Sequence, residues 1–144
     1  MRAKKFLNQL RHNELVAAIR DAERLTSGEI RVFISRKEIV DPVAAAQEQF
    51  VKLEMEKTRE RNGVLIFLAP LTCKFAVVGD SGIHAKCGDA FWNEVANAMA
   101  SHFRRSEFTR GIQLGIARAG ELLSKYFPRN AGDHNELSDD IATD

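Results

Sequence analysis

The chain has 144 residues and a mass of 16.1 kDa, the size of one domain that can bury a core without staples. Apolar residues are 44% and charged residues 28%, with nine glycines and three prolines, which speaks against collagen-like and low-complexity chains. No apolar run approaches the roughly 20 residues that span a bilayer. The net charge of +1 hides an uneven distribution. Residues 129–144 carry Asp133, Glu136, Asp139, Asp140 and Asp144 against Arg129, a balance of −4, and the remainder therefore carries +5. So mild a basic surplus, without a basic stripe or a reader motif, does not point to nucleic acid.

Residues 1–12 form a basic leading segment with Arg2, Lys4, Lys5 and Arg11, helical over about 3–11. Phe6, Leu7 and Leu10 are interrupted by polar residues, so no signal-peptide core follows the charge. The expectation is a cytoplasmic chain with no leader or anchor, or an envelope-associated one if a leader has been removed.

A helix is predicted from Asn13 to Leu25, with Leu15, Ala18, Ile19, Ala22 and Leu25 on one face. Gly28 stops it. Glu29–Ser35 alternates as a strand, Ile30, Val32 and Ile34 on one side and Arg31, Phe33 and Ser35 on the other. Asp41-Pro42 starts a second helix as N-cap and N1, with Val43, Ala46, Phe50 and Leu53 inward. It runs to 53–57, and 58–62 is a loop.

Gly63–Ala69 is apolar almost throughout, the pattern of a central strand buried on both faces. Pro70-Leu71-Thr72 turns the chain into a strand over Cys73–Gly79, paired antiparallel with the one before. Residues 80–89 are expected to be a loop. A helix follows over 90–104, with Trp92, Val95, Ala96, Met99 and Phe103 inward. The last helix spans 108–127, with Gly111 and Gly115 one turn apart to permit close packing. Pro128 ends the body at 13–128, and the acidic segment 129–144 reads as a disordered tail.

The helix between the first two strands implies a parallel, right-handed crossover. The predicted fold is α/β, a three-layer αβα sandwich with a small mixed sheet flanked by helices.

Strand direction then places the loops. The N-terminal ends of the first two strands and the C-terminal end of the third share one rim. That rim should collect Glu29, Asn62, Asp80 and, through the following loop, Ser81 and Asp89. Three carboxylates with loop carbonyls are hard oxygen donors that suit Ca²⁺ or Mg²⁺ better than zinc. The expected metal ligands are Asp80, Asp89 and Glu29. Each has a structural alternative as well: Asp80-Ser81-Gly82 is good turn chemistry, and Asp89 is a good N-cap for a helix opening at Ala90.

His84 is the sole histidine of that loop; a solvated role outweighs one as ligand or acid. His12, His102 and His134 have weaker cases. Cys73 and Cys87 have neither zinc nor redox spacing and are expected to be free thiols. No Gly-x-Ser-x-Gly, Cys-x-x-Cys, P-loop or dinucleotide motif occurs.

Three segments together resemble a known family. They are Thr26-Ser27-Gly28-Glu29-Ile30-Arg31-Val32, Arg61-Asn62-Gly63-Val64-Leu65-Ile66 and Phe75-Ala76-Val77-Val78-Gly79-Asp80-Ser81-Gly82-Ile83, followed by Asp89 and Phe108-x-x-Gly111-Ile112. In order and spacing they are similar to the TPM domain of a thylakoid-lumen phosphatase-like protein and of many bacterial envelope proteins. The resemblance covers about residues 13–128. It implies an αβα sandwich, a divalent-cation site in the loops at one sheet end, and an acid phosphatase activity proposed for some members. Asp80 and Asp89, and less directly Glu29, are the positions it carries over. His84 stands where an acidic residue often follows the Gly-Ile pair.

Two functions follow as expectations. The first is a stand-alone accessory or interaction module that binds Ca²⁺, with an unidentified protein partner, a membrane protein among the candidates, and a monomeric state. The second is a metal-assisted acid phosphatase acting on phosphomonoesters, with Asp80 as ligand or nucleophile, Asp89 as second ligand and Lys86 or Arg61 on the phosphate.

Overall fold

A computed structural model describes residues 1–130 and 136–144. Among these, six helices flank a four-stranded mixed sheet. In chain order they are α1 (Ala3–Gln9), α2 (His12–Glu23), β1 (Glu29–Ile34), α3 (Pro42–Lys52), β2 (Gly63–Ala69), β3 (Lys74–Gly79), α4 (Ser81–Cys87), α5 (Ala90–Arg104), α6 (Phe108–Tyr126) and β4 (Ala142–Thr143). The strand order is β3-β2-β1-β4. β1 and β2 run parallel from Glu29↔Gly63 to Ile34↔Leu68, and β3 is antiparallel to β2 from Val64↔Gly79 to Ala69↔Lys74. The crossover and the hairpin are therefore as the patterning predicts.

The alternation of β1 builds two cores, one on each face. Ile30, Val32 and Ile34 join Val64, Ile66 and Leu68 beneath α2, α5 and α6. Phe33 joins Leu65, Phe67, Ala76 and Val78 beneath Ala46 and Phe50 of α3 and Met55. Every residue of β2 is buried, which explains its unbroken apolar run. Asp41 caps α3 by accepting from Ala44 N at 3.1 Å, with Pro42 at N1. Two stripe positions lie off the core: Leu25 and Val43 are exposed, because α2 stops at Glu23 and Val43 sits on the outer side of the first turn of α3. At Gly115 an added Cβ would lie 2.5 Å from Met99 Sδ; the glycine lets α6 pack closely on α5.

Three boundaries differ from expectation. Cys73 closes a 3₁₀ turn at φ 54° instead of opening β3. The 80–89 segment is not a loop, since α4 occupies Ser81–Cys87 and buries Ile83 completely. Asp80 caps α4, accepting from Ser81 N at 2.7 Å. Gly82 in its first turn is needed for approach, not for a turn conformation: a Cβ there would lie 2.4 Å from the Glu60 carbonyl oxygen and 2.5 Å from that of Arg61.

The third difference is the acidic tail. Residues 136–144 lie on the body. Ala142 and Thr143 pair in parallel with Phe33 and Ile34, Ile141 packs on one core and Leu137 on the other. Asp144 accepts from Ser35 Oγ at 2.6 Å and from Arg36 N at 2.7 Å. Composition under-read this segment because its few apolar residues are spaced to meet both cores along the otherwise open edge of β1. The rest of the tail, 131–135 with Asp133 and His134, lies outside the described residues.

Candidate functional site at the sheet rim

The rim forms as strand direction requires. Glu29 N donates to Asn62 O at 3.4 Å, and Asp80 N donates to Gly63 O at 3.0 Å. Glu29 and Asp80 thus stand on either side of the start of β2, with Cα atoms about 10 Å apart across two strand spacings. Asp89 does not join them. It lies past the far end of α4, a seven-residue helix about 10 Å long. Its side chain is 86% exposed and 3.6 Å from His84 Nδ1, and it makes no capping hydrogen bond to α5. Asp89→Asn should therefore leave thermal stability within about 0.5 kcal/mol of the parent, which a melting curve checks.

Asp80 is already committed. It is 5% exposed; one oxygen holds the α4 cap and the other accepts from Arg61 Nε at 2.8 Å. Arg61 reaches it from a left-handed backbone position at φ 52°. The pair balances the charge of a buried carboxylate. Lys86, the other candidate phosphate contact, stacks its ammonium over the Phe127 ring at 4.6 Å.

Glu29 is different. It is 2% exposed; Oε1 accepts from Glu136 N at 2.6 Å, while Oε2 is buried with no hydrogen-bond partner. Burial pushes its carboxyl above the ordinary carboxylate range, against the hydrogen bonds from Glu136 N and from the Glu23 carboxyl. Beside it stands a residue the sequence reading missed. Glu23 of α2 is 6% exposed and its Oε2 accepts from Ile30 N at 2.9 Å. Its carboxyl is pushed up to about 10, by burial first, then by a hydrogen bond with Asp139 and the charges of Glu29 and Asp139. Glu23 therefore holds a proton at neutral pH. Arg20 lies 3.4 Å from Asp139, and Arg129 Nη1 donates to the Glu23 carbonyl at 3.0 Å. The overlooked signal was positional: Glu23 is four residues after Ile19, on the buried stripe of α2.

A second polar cluster flanks the rim. Ser27 Oγ donates to Glu60 Oε2. Asn62 Nδ2 donates to Ser27 Oγ at 3.1 Å and to Glu60 Oε2 at 3.2 Å.

Among the described residues, no group of three or more His, Cys, Asp or Glu side chains is arranged to hold a metal ion. The Glu23–Glu29–Asp139 carboxyls offer the right donor chemistry, oxygen only, and one buried oxygen without a partner. In the present arrangement they engage one another through hydrogen bonds and protons. No helix among the described residues is long and apolar enough to cross a membrane.

A sequence model of the TPM domain matches residues 1–122. Among solved structures, the chain is similar to the BA42 protein from the psychrophilic bacterium Bizionia argentinensis, determined by NMR. The identity is 39%, 92% of each chain is covered and the TM-score is 0.86. It is also similar in fold to the N-terminal domain of a protein from P. gingivalis, with 16% identity, 77% of this chain and 72% of that one covered, and a TM-score of 0.63. No curated protein matches.

Proposed function

The chain belongs to the TPM domain family, and from that premise we propose that it is an accessory module that responds to divalent cations, Ca²⁺ ahead of Mg²⁺, and not a catalyst. The observation that carries this reading is Glu29 Oε2, a carboxylate oxygen buried without a partner beside Glu23 and Asp139. A bound divalent cation would supply there the positive charge for which the carboxyls now substitute protons. Glu29, Glu23 and Asp139 are the residues that would hold it, after Glu23 gives up its proton. The irregular chain around Asp139 suits the flexible coordination of Ca²⁺ more than the octahedral demand of Mg²⁺. Asp80 is left out because Arg61 occupies its free oxygen, and Asp89 because it lies at the wrong end of α4.

Calcium titration followed by amide NMR tests this reading. Shifts centred on residues 23, 29 and 136–139 are expected, with a dissociation constant on the order of 10⁻⁵–10⁻³ M. Affinity should rise with pH because the ligands must lose protons, and Glu29→Gln should abolish the response. Shifts confined to residues 80–89, or no saturable shift, would refute it.

The phosphatase reading has one observation of its own. Ser27 gives its hydroxyl hydrogen to Glu60, with Asn62 bonded to both, an orientation that suits a nucleophile beside a base. Arg61, a phosphate contact the sequence suggested, is held by Asp80, which weakens this reading. Turnover of an aryl phosphate that disappears in Ser27→Ala would reverse the preference.

A further inference from the structure

Asp139 reaches the acidic rim on the C-terminal segment 136–144, which is fastened at successive points along one edge of the sheet. At the rim Glu136 N donates to Glu29 Oε1 at 2.6 Å, and Glu136 Oε2 accepts from Arg59 N at 3.2 Å. Next, Asp139 shares a hydrogen bond with the Glu23 carboxyl and lies 3.4 Å from Arg20 Nε. Ala142 and Thr143 then pair with Phe33 and Ile34, and Asp144 ends on Ser35 and Arg36.

The strand end of this fastening is thin. β4 pairs with two of the six residues of β1, whereas β2 pairs with all six. A ladder this short opens more readily than the body. The carboxyls beside it come from both sides of the joint: Glu23 and Glu29 from α2 and β1, and Asp139 from the segment. Glu29 Oε2 is buried there without a hydrogen-bond partner. A cation held by all three stays bound only while the segment is docked, because Asp139 leaves with it. By linkage the same cation opposes undocking.

Resting on the cation reading above, we propose that a divalent cation, Ca²⁺ ahead of Mg²⁺, clamps residues 136–144 to the body, and that its loss loosens β4 from the edge of β1. The segment is a cover whose closure depends on the cation. What the cation controls is then the exposure of one strand edge, a surface that recognises an extended chain through its backbone, as it does β4.

Hydrogen exchange of the full chain, read by amide NMR, tests the clamp. Ser35 N donates to Leu68 O of β2 at 2.8 Å, so the neighbouring Ile34 amide faces β4 and exchanges when the segment opens. Exchange is compared in EDTA and in CaCl₂ at matched ionic strength, so that screening of the Arg20–Asp139 pair is equal in both. With Ca²⁺ at about a hundred times its dissociation constant, opening should become about a hundredfold rarer and Ile34 exchange slower by the same factor. Asp139→Asn keeps the side-chain size and a hydrogen-bonding group but removes a ligand charge. It should weaken Ca²⁺ binding about tenfold or more and lose the slowing. Asp140→Asn, at an exposed neighbouring position, should keep both. Saturable Ca²⁺ shifts at residues 23 and 29 with unchanged Ile34 exchange would overturn the clamp and leave a site built on the body alone. No saturable shift at those residues would overturn the cation reading itself, and the clamp with it. The clamp also fails if Asp139→Asn retains the full slowing. It fails again if Ile34 exchanges in EDTA as slowly as Ile66 of β2, since the segment would then open only with the whole fold.

Discussion

Truncation after Asn130 should lower the melting temperature by about 6 °C. The deletion removes the β4 pairing with Phe33 and Ile34 and the packing of Ile141 and Leu137 on the two cores. It also removes the hydrogen bonds of Asp144 to Ser35 and Arg36, and of Glu136 N to Glu29. Each half-buried aliphatic contributes about 1 kcal/mol and each hydrogen bond about 1 kcal/mol. Ordering the segment offsets much of that. A net loss on the order of 2 kcal/mol remains, and at roughly 2–4 °C per kcal/mol for a domain of this size the shift follows. The deletion also uncovers the edge of β1, a template for pairing with another chain, so the truncated protein should aggregate more readily on heating. An unchanged melting temperature would mean that the segment does not dock in solution.

Glu23→Gln should stabilise the protein at pH 8 by on the order of 2 kcal/mol, or about 5 °C, and change little at pH 4. The folded carboxyl is raised from its ordinary 4.5 to about 10, by burial before all else. The folded state therefore keeps a proton that the unfolded chain releases above 4.5. Its contribution to stability is fully present below pH 4.5 and is lost as pH climbs towards 10. Glutamine imitates the protonated acid: its oxygen can accept from Ile30 N as Glu23 Oε2 does, and its amide can donate to Asp139. The variant is thus free of the loss that the parent suffers as pH rises. Glu29, also raised by burial, leaves a weaker dependence of the same sign in the variant. Parallel stability–pH curves for the two proteins, read from denaturant titrations between pH 4 and 9, would show that Glu23 is ionised in the fold.

Local patterning carried most of the architecture. Period-two alternation in 29–34 set the two faces of β1, and these became the two cores. The apolar run 63–69 marked the strand buried throughout. Asp41-Pro42 marked a cap that is made as read. Such features act over a few residues, so a chain read in order exposes them. Strand direction then placed Glu29 and Asp80 at one rim, because pairing direction follows from the lengths and types of the connections.

The chemistry of the rim was not legible in the same way. Which carboxylate has a cation beside it and which only a backbone amide depends on contacts across 19 residues for Arg61 with Asp80 and 107 for Glu136 N with Glu29. Register and the path of the tail bring those groups together, and no local propensity encodes them. Asp89 looked equivalent to Asp80 in sequence, yet Ile83 drew residues 81–87 into the core as a helix and carried Asp89 away from the rim. Glu23 drew no notice in the sequence, yet it is buried and its carboxyl accepts from Ile30 N of β1. Periodicity thus sufficed for which faces are buried, while side-chain partners arose only when distant segments were packed together.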